Sequence, residues 1–303
     1  MHHLVKDHAL INNTRIAHGV HGEGEPVVLI HGTPSSSYIW RNVVPPLVEA
    51  GNKVHVYDLL GFGLSERPWD PGIDTSVTGQ VPILEGLLEH WNLRDFHLVA
   101  HDIGGGIAMR FATGSPERLW SLTLIDTVSF NSWPSRRTRE QMQAGLETLI
   151  AAPDPDHRRH FREWLLSSVF DKQRFEKTSL DVFLDFISGP VGQVSYFAHQ
   201  VAHYDPKHTN DLPGLVDALA ILPVQVIWGA DDAWQVVDWA YKLKEVITGA
   251  ELHVLENCGH FAMEDQPEKI SSILINFFER QTRMPGSRTS EATALKETEH
   301  EAV

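Results

Sequence analysis

The sequence has few of the features that mark secreted, membrane or nucleic-acid-binding proteins. Cys258 is the only cysteine among 303 residues, which excludes an intrachain disulfide and argues against a cysteine-rich metal site. Basic residues number 25 against 40 acidic ones, and the formal charge of -15 would repel both a phosphate backbone and an anionic membrane. We therefore expect no metal, no nucleic acid and no membrane among its partners.

Long apolar runs are also missing. No run reaches the roughly 18 residues that argue for a membrane-spanning helix, and residues 1–7 lack the basic start and apolar core of a signal peptide. These absences predict a cytoplasmic protein. Hydrophobic residues nevertheless make up 42% of the chain, enough to bury the core of one large domain or two modest ones.

One stretch, residues 96–106 (FHLVAHDIGGG), carries a strand, a sharp turn and the start of a helix. A short run of apolar and β-compatible residues stops at His101 and Asp102 and continues into a helical pattern. Small residues, the glycines at 104–106, lie close to Asp102, as expected where strand and helix backbones approach closely. Such an elbow exposes one side chain at the carboxyl edge of a sheet. Taken alone, the stretch fits equally well an Asp that caps an ordinary helix.

Strands alternate with helices over most of the chain, which predicts an α/β fold with a mostly parallel sheet. After Asp126 the alternation stops, and helical spacing rich in Arg, His, Phe and Trp predicts an inserted helical segment. We therefore predict a core domain over residues 1–128 and 222–282, a helical cap domain over residues 129–221 and a disordered tail over residues 283–303.

The polar residues that could take part in catalysis or binding all follow predicted strands. Because ligands bind at the carboxyl ends of strands in an open parallel sheet, we expect these side chains to meet at one edge. Each has a structural alternative: His31 suits a hydrogen-bonded core histidine, and Asp232 suits a turn. Their shared position is the stronger signal. The residues are His31, Thr33, Asp102, Asp126, Asp232 and His260.

These motifs resemble the α/β-hydrolase superfamily over roughly residues 20–281. No Gly-x-Ser-x-Gly motif is present, and the His-Gly-x-Pro and His-Asp-x-Gly-Gly patterns are similar to the branch that uses an aspartate nucleophile. That branch includes epoxide hydrolases, haloalkane dehalogenases and haloacetate dehalogenases, and its inserted helices form a cap. The matching segments are HGTP (31–34), DLLGFGLS (58–65), HDIGG (101–105), GADD (229–232) and CGHFAMED (258–265).

The resemblance implies a two-step hydrolysis without a cofactor. A carboxylate such as Asp102 is ionised at pH 7 and attacks an sp³ carbon without a base to deprotonate it, which forms an alkyl-enzyme ester. His260 then activates a water molecule that attacks the ester carbonyl. The backbone N–H groups of Thr33 and Ile103 are the expected oxyanion donors.

Two carboxylates compete for the role of orienting His260. Asp232 lies three residues after Gly229, at the position that most of the superfamily uses, and we favour it. Asp126 follows the preceding strand, where some dehalogenases carry the acid, and stays the alternative.

An epoxide oxygen needs a proton donor, and the resembling epoxide hydrolases carry tyrosines on the cap, one of which is a histidine in some members. Tyr196 lies near the position of the later cap tyrosine, and no tyrosine lies between Asp126 and Tyr196. We therefore expect Tyr196 to act with His157 or His160, and we include His31 as a substrate-binding candidate. The alternative is that these residues only line the cap interface. The predicted cap also contains Tyr204, His199 and His203.

A halide needs polarised N–H groups instead. The resembling haloalkane dehalogenases commonly have Trp after the nucleophile and Asn after His-Gly, or a second Trp on the cap, whereas this chain has Ile103 and Thr33 at the first two positions. Trp133 and Trp164 are the available substitutes on the cap. Haloacetate dehalogenases have Arg after the nucleophile to bind a carboxylate, and Ile103 cannot do that.

Three functional hypotheses remain. The first is epoxide hydrolase-like ring opening of a small, mostly apolar organic molecule, and the second is an atypical haloalkane dehalogenase-like hydrolase. The third is a ligand-binding homologue with low turnover, which we disfavour because a binder has no need of His260 opposite Asp102. The Trp and Phe residues of the cap suit a homodimer interface as well as a pocket.

Overall fold

The structure is a computed structural model that describes residues 3–70, 72–211, 214 and 216–282. The predicted disordered tail, residues 283–303, lies outside the described residues.

Eight strands form one twisted sheet, in the order β1-β2-β4-β3-β5-β6-β7-β8. β1 pairs antiparallel with β2, and β2 pairs antiparallel with β4, whereas all other neighbours are parallel. This arrangement confirms the predicted α/β-hydrolase fold with a mostly parallel sheet. The strands are β1 (Asp7–Ile11), β2 (Thr14–His21), β3 (Glu25–Ile30), β4 (Asn52–Tyr57), β5 (Phe96–His101), β6 (Leu119–Ile125), β7 (Val224–Gly229) and β8 (Glu251–Leu255).

Helices cover both faces of the sheet. Buried residues of α2, α3 and α10 form the core on one face, and those of α1 and α12 form the core on the other. The helices outside the inserted segment are α1 (Val44–Glu49), α2 (Val81–His90), α3 (Ile103–Gly114), α10 (Asp238–Val246), α11 (Ala262–Asp265) and α12 (Pro267–Thr282).

The strand β3 explains why a continuous apolar run marks the centre of the sheet. Val28 and Ile30 pack into the core on one face, and Val27 and Leu29 pack into the core on the other. Side chains alternate between faces along a strand, so both faces of β3 need apolar residues. Each buried side chain contributes roughly 1.5–3 kcal/mol relative to exposure.

The inserted segment, residues 129–221, follows β6 and precedes β7. Its described residues contain helices and short 3-10 or π turns but no strand. The helices are α4 (Arg136–Ala144), α5 (Glu147–Ile150), α6 (Asp154–Leu166), α7 (Lys172–Thr178), α8 (Leu180–Ile187) and α9 (Gly189–Ser195). The division into a core and a cap domain with the stated boundaries stays a prediction.

Hydrogen bonds fasten the inserted segment to the residues around His260. The carboxylate of Asp265 accepts from the backbone N–H groups of Phe170 at 2.8 Å and Asp171 at 3.1 Å. Phe261 N–H donates to the carbonyl of Ser168 at 2.9 Å. The inserted segment therefore supports the loop that carries the predicted base.

Among the described residues, no helix combines the length and the apolar character needed to cross a lipid bilayer.

Candidate active site

Asp102 stands at the turn between β5 and α3 in a backbone conformation that non-glycine residues rarely adopt. Its φ is 52° and its ψ is -124°, and such strain persists only where surrounding contacts hold it. The Asp102 carbonyl accepts hydrogen bonds from Gly105 N–H at 2.9 Å and from the Thr127 hydroxyl at 3.0 Å. A Cβ on Gly32 would lie 2.4 Å from the Cβ of Asp102, so only glycine permits this close approach.

The Asp102 side chain does not cap α3, contrary to the alternative interpretation of the elbow. Its Oδ2 accepts from Thr33 N–H at 2.7 Å, and the backbone N–H of Ile103 helps to lower the pKa of its carboxyl group. Its Oδ1 lies 3.6 Å from Nε2 of His260. The two oxygens therefore have different surroundings.

His260 lies between two carboxylates. Its Nδ1 lies 2.8 Å from Oδ2 of Asp232, and both side chains are fully buried. Oδ1 of Asp232 accepts from the backbone N–H groups of Trp234 at 2.7 Å and Gln235 at 2.8 Å. The orientation of the Asp232 carboxylate, and with it the His260 ring, is thus set on both sides. Nε2 of His260 is left facing Asp102.

Asp126 lies in the same region, but its carboxylate does not hydrogen-bond His260. Its Oδ1 accepts from Gly229 N–H at 2.8 Å, and its Oδ2 is buried without a hydrogen-bond partner. The structure therefore brings Asp232, and not Asp126, into contact with the ring of His260.

Burial and nearby charges shift the pKa values of His260, Asp102 and Asp126. Burial lowers the pKa of His260, but the carboxylates of Asp232 and Asp102 outweigh it and hold the pKa well above its usual value. Burial raises the pKa of Asp102, but the contact with His260 outweighs it and the pKa lies below normal. Burial and the nearby Asp232 raise the pKa of Asp126 well above normal.

A cavity of about 290 Å³ opens onto Asp102. Asp102 is the single charged residue that lines it among those the structure describes, and its wall is rich in aromatic rings. The aromatic lining residues are Trp133, Trp164, Tyr196, Tyr204 and Trp234.

Of the residues predicted to bind substrate or to donate a proton, the structure brings Trp133 and Tyr196 to the cavity. It does not bring His31 there. Nδ1 of His31 donates to the carbonyl of Gly32, and its Nε2 accepts from Leu59 N–H, both at 2.9 Å. With both ring nitrogens engaged and no exposed surface, His31 braces two loops, as its structural alternative suggested.

The expectation that His157 or His160 acts beside Tyr196 also disagrees with the structure. Both residues lie on α6 with Trp164, which lines the cavity, but His157 lies seven residues earlier, about 10 Å along the helix. Its Nε2 lies 2.7 Å from the carbonyl of Ile187. The ring of His160 lies beside the exposed guanidinium of Arg137. Sequence spacing did not reveal which end of α6 faces the elbow.

The second tyrosine of the cavity is Tyr204, which the sequence analysis noted without assigning it a role. Its hydroxyl hydrogen-bonds Oγ1 of Thr33, and the Thr33 hydroxyl donates to Oε1 of Gln200 at 3.0 Å. Tyr196, Gln200 and Tyr204 are spaced four residues apart, and this helical spacing was the signal that could have identified the group. A π-helical turn spans Tyr196–Gln200, and such turns are frequent at functional sites.

Two of the three indole N–H groups beside the cavity are engaged within the protein. Trp133 donates to the hydroxyl of Thr209 at 2.7 Å, and Trp234 donates to that of Ser167 at 2.9 Å. The ring of Trp164 stacks on Trp234 at a centroid distance of 4.2 Å.

No group of three or more His, Cys, Asp or Glu side chains that could hold a metal ion occurs in the described part of the chain. The site brings together a strained carboxylate held by the backbone N–H of Thr33, a histidine with an acidic partner and two phenols.

Comparisons with known proteins agree with this architecture. A family model described as alpha/beta hydrolase fold matches residues 25–267. A cis-3-alkyl-4-alkyloxetan-2-one decarboxylase from Shewanella oneidensis is 26% identical over 302 residues, covering 97% of this chain and 94% of the relative. A 2-hydroxy-6-oxononadienedioate/2-hydroxy-6-oxononatrienedioate hydrolase from Paraburkholderia xenovorans is 27% identical over 84% of this chain and 88% of its own. The solved structure of the epoxide hydrolase CorEH superposes with a TM-score of 0.71 and 26% identity, over 90% of this chain and 98% of that chain.

Proposed function

The chain belongs to the α/β-hydrolase family, and from this premise we propose that it hydrolyses epoxides through an ester of Asp102. The observation that carries the proposal is the position of the Asp102 carboxylate, with Oδ2 held by Thr33 N–H at 2.7 Å and Oδ1 beside His260. An aspartate in this strained elbow has the surroundings of a nucleophile.

In the first step, Oδ1 of Asp102 bonds to a ring carbon of the epoxide. The ring C–O bond breaks, and its electron pair stays on the ring oxygen, which takes the phenolic proton of Tyr196. The Asp102 carboxylate is ionised for this attack because His260 keeps its pKa low despite burial. The product is a hydroxyalkyl ester whose carbonyl oxygen is Oδ2.

In the second step, Nε2 of His260 takes a proton from water, and the water oxygen bonds to Cγ of Asp102. The negative charge develops on Oδ2, where the backbone N–H groups of Thr33 and Ile103 stabilise it. Collapse breaks the Cγ–Oδ1 bond and releases a diol. The proton that ester hydrolysis sets free returns the phenol of Tyr196 to its starting state.

The first step prepares His260 for the second. In the free enzyme, two carboxylates outweigh burial and raise the pKa of His260. Ester formation removes the charge of Asp102, so the pKa of His260 falls. The ring is then more often in the unprotonated form, which is the form that can take a proton from water.

The cavity favours a substrate without charge. No Lys or Arg side chain lines it within the described residues, and Asp102 would repel an anion. The hydrolase relative from Paraburkholderia xenovorans is named for a dioate, which carries two carboxylates. A dianion of that kind lacks a cationic partner here. The volume of about 290 Å³ suits a small molecule.

An atypical dehalogenase remains the alternative. The N–H of Trp133, one of the two substitute halide donors, is already bonded to Thr209 at 2.7 Å. Trp164 is the remaining indole of the pair. Because a halide needs several polarised donors at once, the two phenols of the cavity favour an oxygen leaving group instead.

Opening of a strained lactone is a second candidate. The Shewanella relative, which matches 97% of this chain, is named for decarboxylation of an oxetan-2-one, an uncharged four-membered lactone. Attack of Asp102 on its sp³ C4 would free the ring carboxylate. Loss of CO₂ would then form the alkene and expel the Asp102 carboxylate, without any water.

Trapping of the ester tests these proposals. We expect the His260→Gln variant to accumulate the Asp102 ester, since water is no longer activated. With styrene oxide, intact-mass spectrometry should report a shift equal to the whole substrate. With benzyl chloride, displacement would give a shift equal to the substrate minus hydrogen chloride. With a dialkyl β-lactone, gas chromatography of the unaltered enzyme's products distinguishes an alkene from a hydroxy acid.

The matched control is the double variant Asp102→Asn and His260→Gln, which should give no adduct with any of these electrophiles. If the single variant gives no adduct either, and Asp102→Asn retains activity on p-nitrophenyl acetate, the aspartate nucleophile is wrong. Binding of styrene oxide without turnover or adduct would instead support the ligand-binding hypothesis.

A further inference from the structure

The two cavity tyrosines differ in what their hydroxyl groups contact. The Tyr204 hydroxyl is bonded to Oγ1 of Thr33. The Tyr196 hydroxyl has no hydrogen-bond partner among the described residues, although the residue is 96% buried and lines the cavity. The two phenols of the cavity therefore differ in their hydrogen bonding.

The direction of the hydrogen bonds follows from the number of protons available. The Thr33 hydroxyl has one proton, and it donates that proton to Oε1 of Gln200 at 3.0 Å. The bond between Thr33 and Tyr204 must then be donated by Tyr204. The chain runs from Tyr204 through Thr33 to Gln200, and each member fixes the next.

This chain of hydrogen bonds joins the inserted segment to the loop that contains Thr33, the oxyanion loop. Gln200 and Tyr204 belong to the inserted segment, whereas Thr33 supplies the backbone N–H that holds Oδ2 of Asp102 at 2.7 Å. One side chain, the Thr33 hydroxyl, therefore connects Tyr204 and Gln200 to the donor that stabilises the ester carbonyl. Its position directly after His31-Gly32 makes it part of the loop beside the nucleophile.

We propose that Thr33 and Gln200 commit the proton of Tyr204 to the protein, so that Tyr196 alone protonates the opening ring while Tyr204 positions the oxyanion loop. Thr33 and Gln200 are positioning residues in this scheme. The inference rests on the proposed epoxide ring opening and assigns unequal roles to the two phenols of that site.

The rate of ester formation tests the inference in the His260→Gln background. With styrene oxide as the probe, rapid quenching and intact-mass spectrometry measure the first step alone. We expect Tyr196→Phe to slow it about 10²-fold or more, as loss of a general acid does. We expect Tyr204→Phe and Thr33→Val each to slow it about tenfold, and the pair together no further, because both remove the same bond between Tyr204 and Thr33.

Two variants separate positioning from mere damage. Thr33→Ser restores the hydroxyl and should bring the rate back to within about twofold of the parent. Gln200→Met removes the acceptor, so the Thr33 proton can turn to Tyr204 and release the phenolic proton into the cavity. In the Tyr196→Phe background, Gln200→Met should therefore speed ester formation about threefold to tenfold.

Opposite results would overturn the inference. These are a loss in Tyr204→Phe as large as in Tyr196→Phe, additive effects of Thr33→Val and Tyr204→Phe, or a further slowing by Gln200→Met in the Tyr196→Phe background. Urea unfolding of the same Thr33 and Tyr204 variants measures their coupling without any turnover, and additive changes there would show that the bond is absent. If no variant forms an adduct while this coupling is present, the epoxide proposal fails and the hydrogen-bond chain stands.

Discussion

Asp232 and Asp126 follow neighbouring strands of the sheet, but their carboxylates have different partners. Asp232 contacts Nδ1 of His260 and accepts two backbone N–H groups through its other oxygen. Asp126 keeps one oxygen unpartnered, and burial together with Asp232 raises its pKa well above normal. The structure therefore gives Asp232, and not Asp126, the contact that can orient His260.

Single amide substitutions separate the two residues. In Asp232→Asn the ring loses its carboxylate partner and its preferred tautomer, so we expect ester hydrolysis to slow about 10²- to 10⁴-fold. In Asp126→Asn the amide keeps the shape of the side chain and an acceptor for Gly229 N–H. We expect a rate change below about tenfold. Single-turnover decay of the ester measures both, and the reverse ranking would identify Asp126 as the partner of His260.

The same residues illustrate what sequence position can and cannot predict. Asp102, Asp232 and His260 each follow a strand, and parallel strands end at one edge, so their proximity was predictable. The direction of each side chain was not. His31 also follows a strand, yet hydrogen bonds turn its ring toward Leu59 and away from the cavity.

The elbow between β5 and α3 depends on glycines that let the helix approach its neighbours. A Cβ on Gly105 would lie 1.7 Å from Oγ1 of Thr127, whose hydroxyl donates to the Asp102 carbonyl. Gly114, at the other end of α3, has nothing within 4 Å of an added Cβ. The helix α3 thus contains one glycine, Gly105, with no space for a Cβ and another, Gly114, with space for one.

We expect Gly105→Ala to lower the free energy of unfolding by about 2 kcal/mol or more and to slow ester formation, because Thr127 and the elbow must shift. Gly114→Ala is the matched control. It should leave stability the same or raise it by up to about 1 kcal/mol, since Ala favours the helix. Urea unfolding and the mass-spectrometric assay measure the two effects. Equal stability of the two variants would contradict the close packing at Gly105.

The sequence predicts that the inserted segment is helical, but it does not predict which side of each helix faces the active site. Apolar spacing identifies a buried stripe, and α6 buries Phe161 and Leu165 as that rule requires. The same spacing cannot say which turn of the helix lies over the elbow. That uncertainty explains why His157 and His160 were selected, while Tyr204 and Gln200 were left without a role.

At the scale of the whole molecule, buried histidines make stability depend on pH, and His55, His97 and His101 are three of them. Burial lowers the pKa of His55 to about 4 and those of His97 and His101 to about 3, with the charge of His260 adding to the effect at His101. The unfolded chain binds these protons below about pH 6.5. Stability that is present above pH 6.5 is therefore lost as the pH falls toward 4 and then 3. His260, whose pKa is raised, acts in the opposite sense and loses its contribution as the pH rises.

We expect the free energy of unfolding to fall below pH 6.5 by about 1.4 kcal/mol per pH unit for each of these histidines. Replacing His55 by Leu, which takes no proton, should reduce that slope by one proton. Both ring nitrogens of His55 are buried without partners, so the variant breaks no hydrogen bond of the ring. Urea unfolding between pH 7 and pH 4.5 measures the slope.

His8→Gln is the control, because His8 is exposed in β1, and it should change the slope less than His55→Leu does. An unchanged slope in His55→Leu would mean that His55 takes up its proton as easily in the folded protein as in the unfolded chain.

The homodimer stays a prediction. Two of the cap's aromatic residues that suit an interface, Trp133 and Trp164, line the cavity.

The sequence by itself determined the α/β fold, the order of strands and helices, and the arrival of Asp102, Asp232 and His260 at one edge of the sheet. Local patterning encodes these features, because the period of apolar residues distinguishes strands from helices and glycines mark the elbow. Only the tertiary structure decided which carboxylate contacts His260, which phenols reach the cavity and how Thr33 links Tyr204 to Gln200. Those choices depend on side-chain directions and hydrogen bonds between segments far apart in sequence, such as Thr33 and Gln200, which no local pattern specifies.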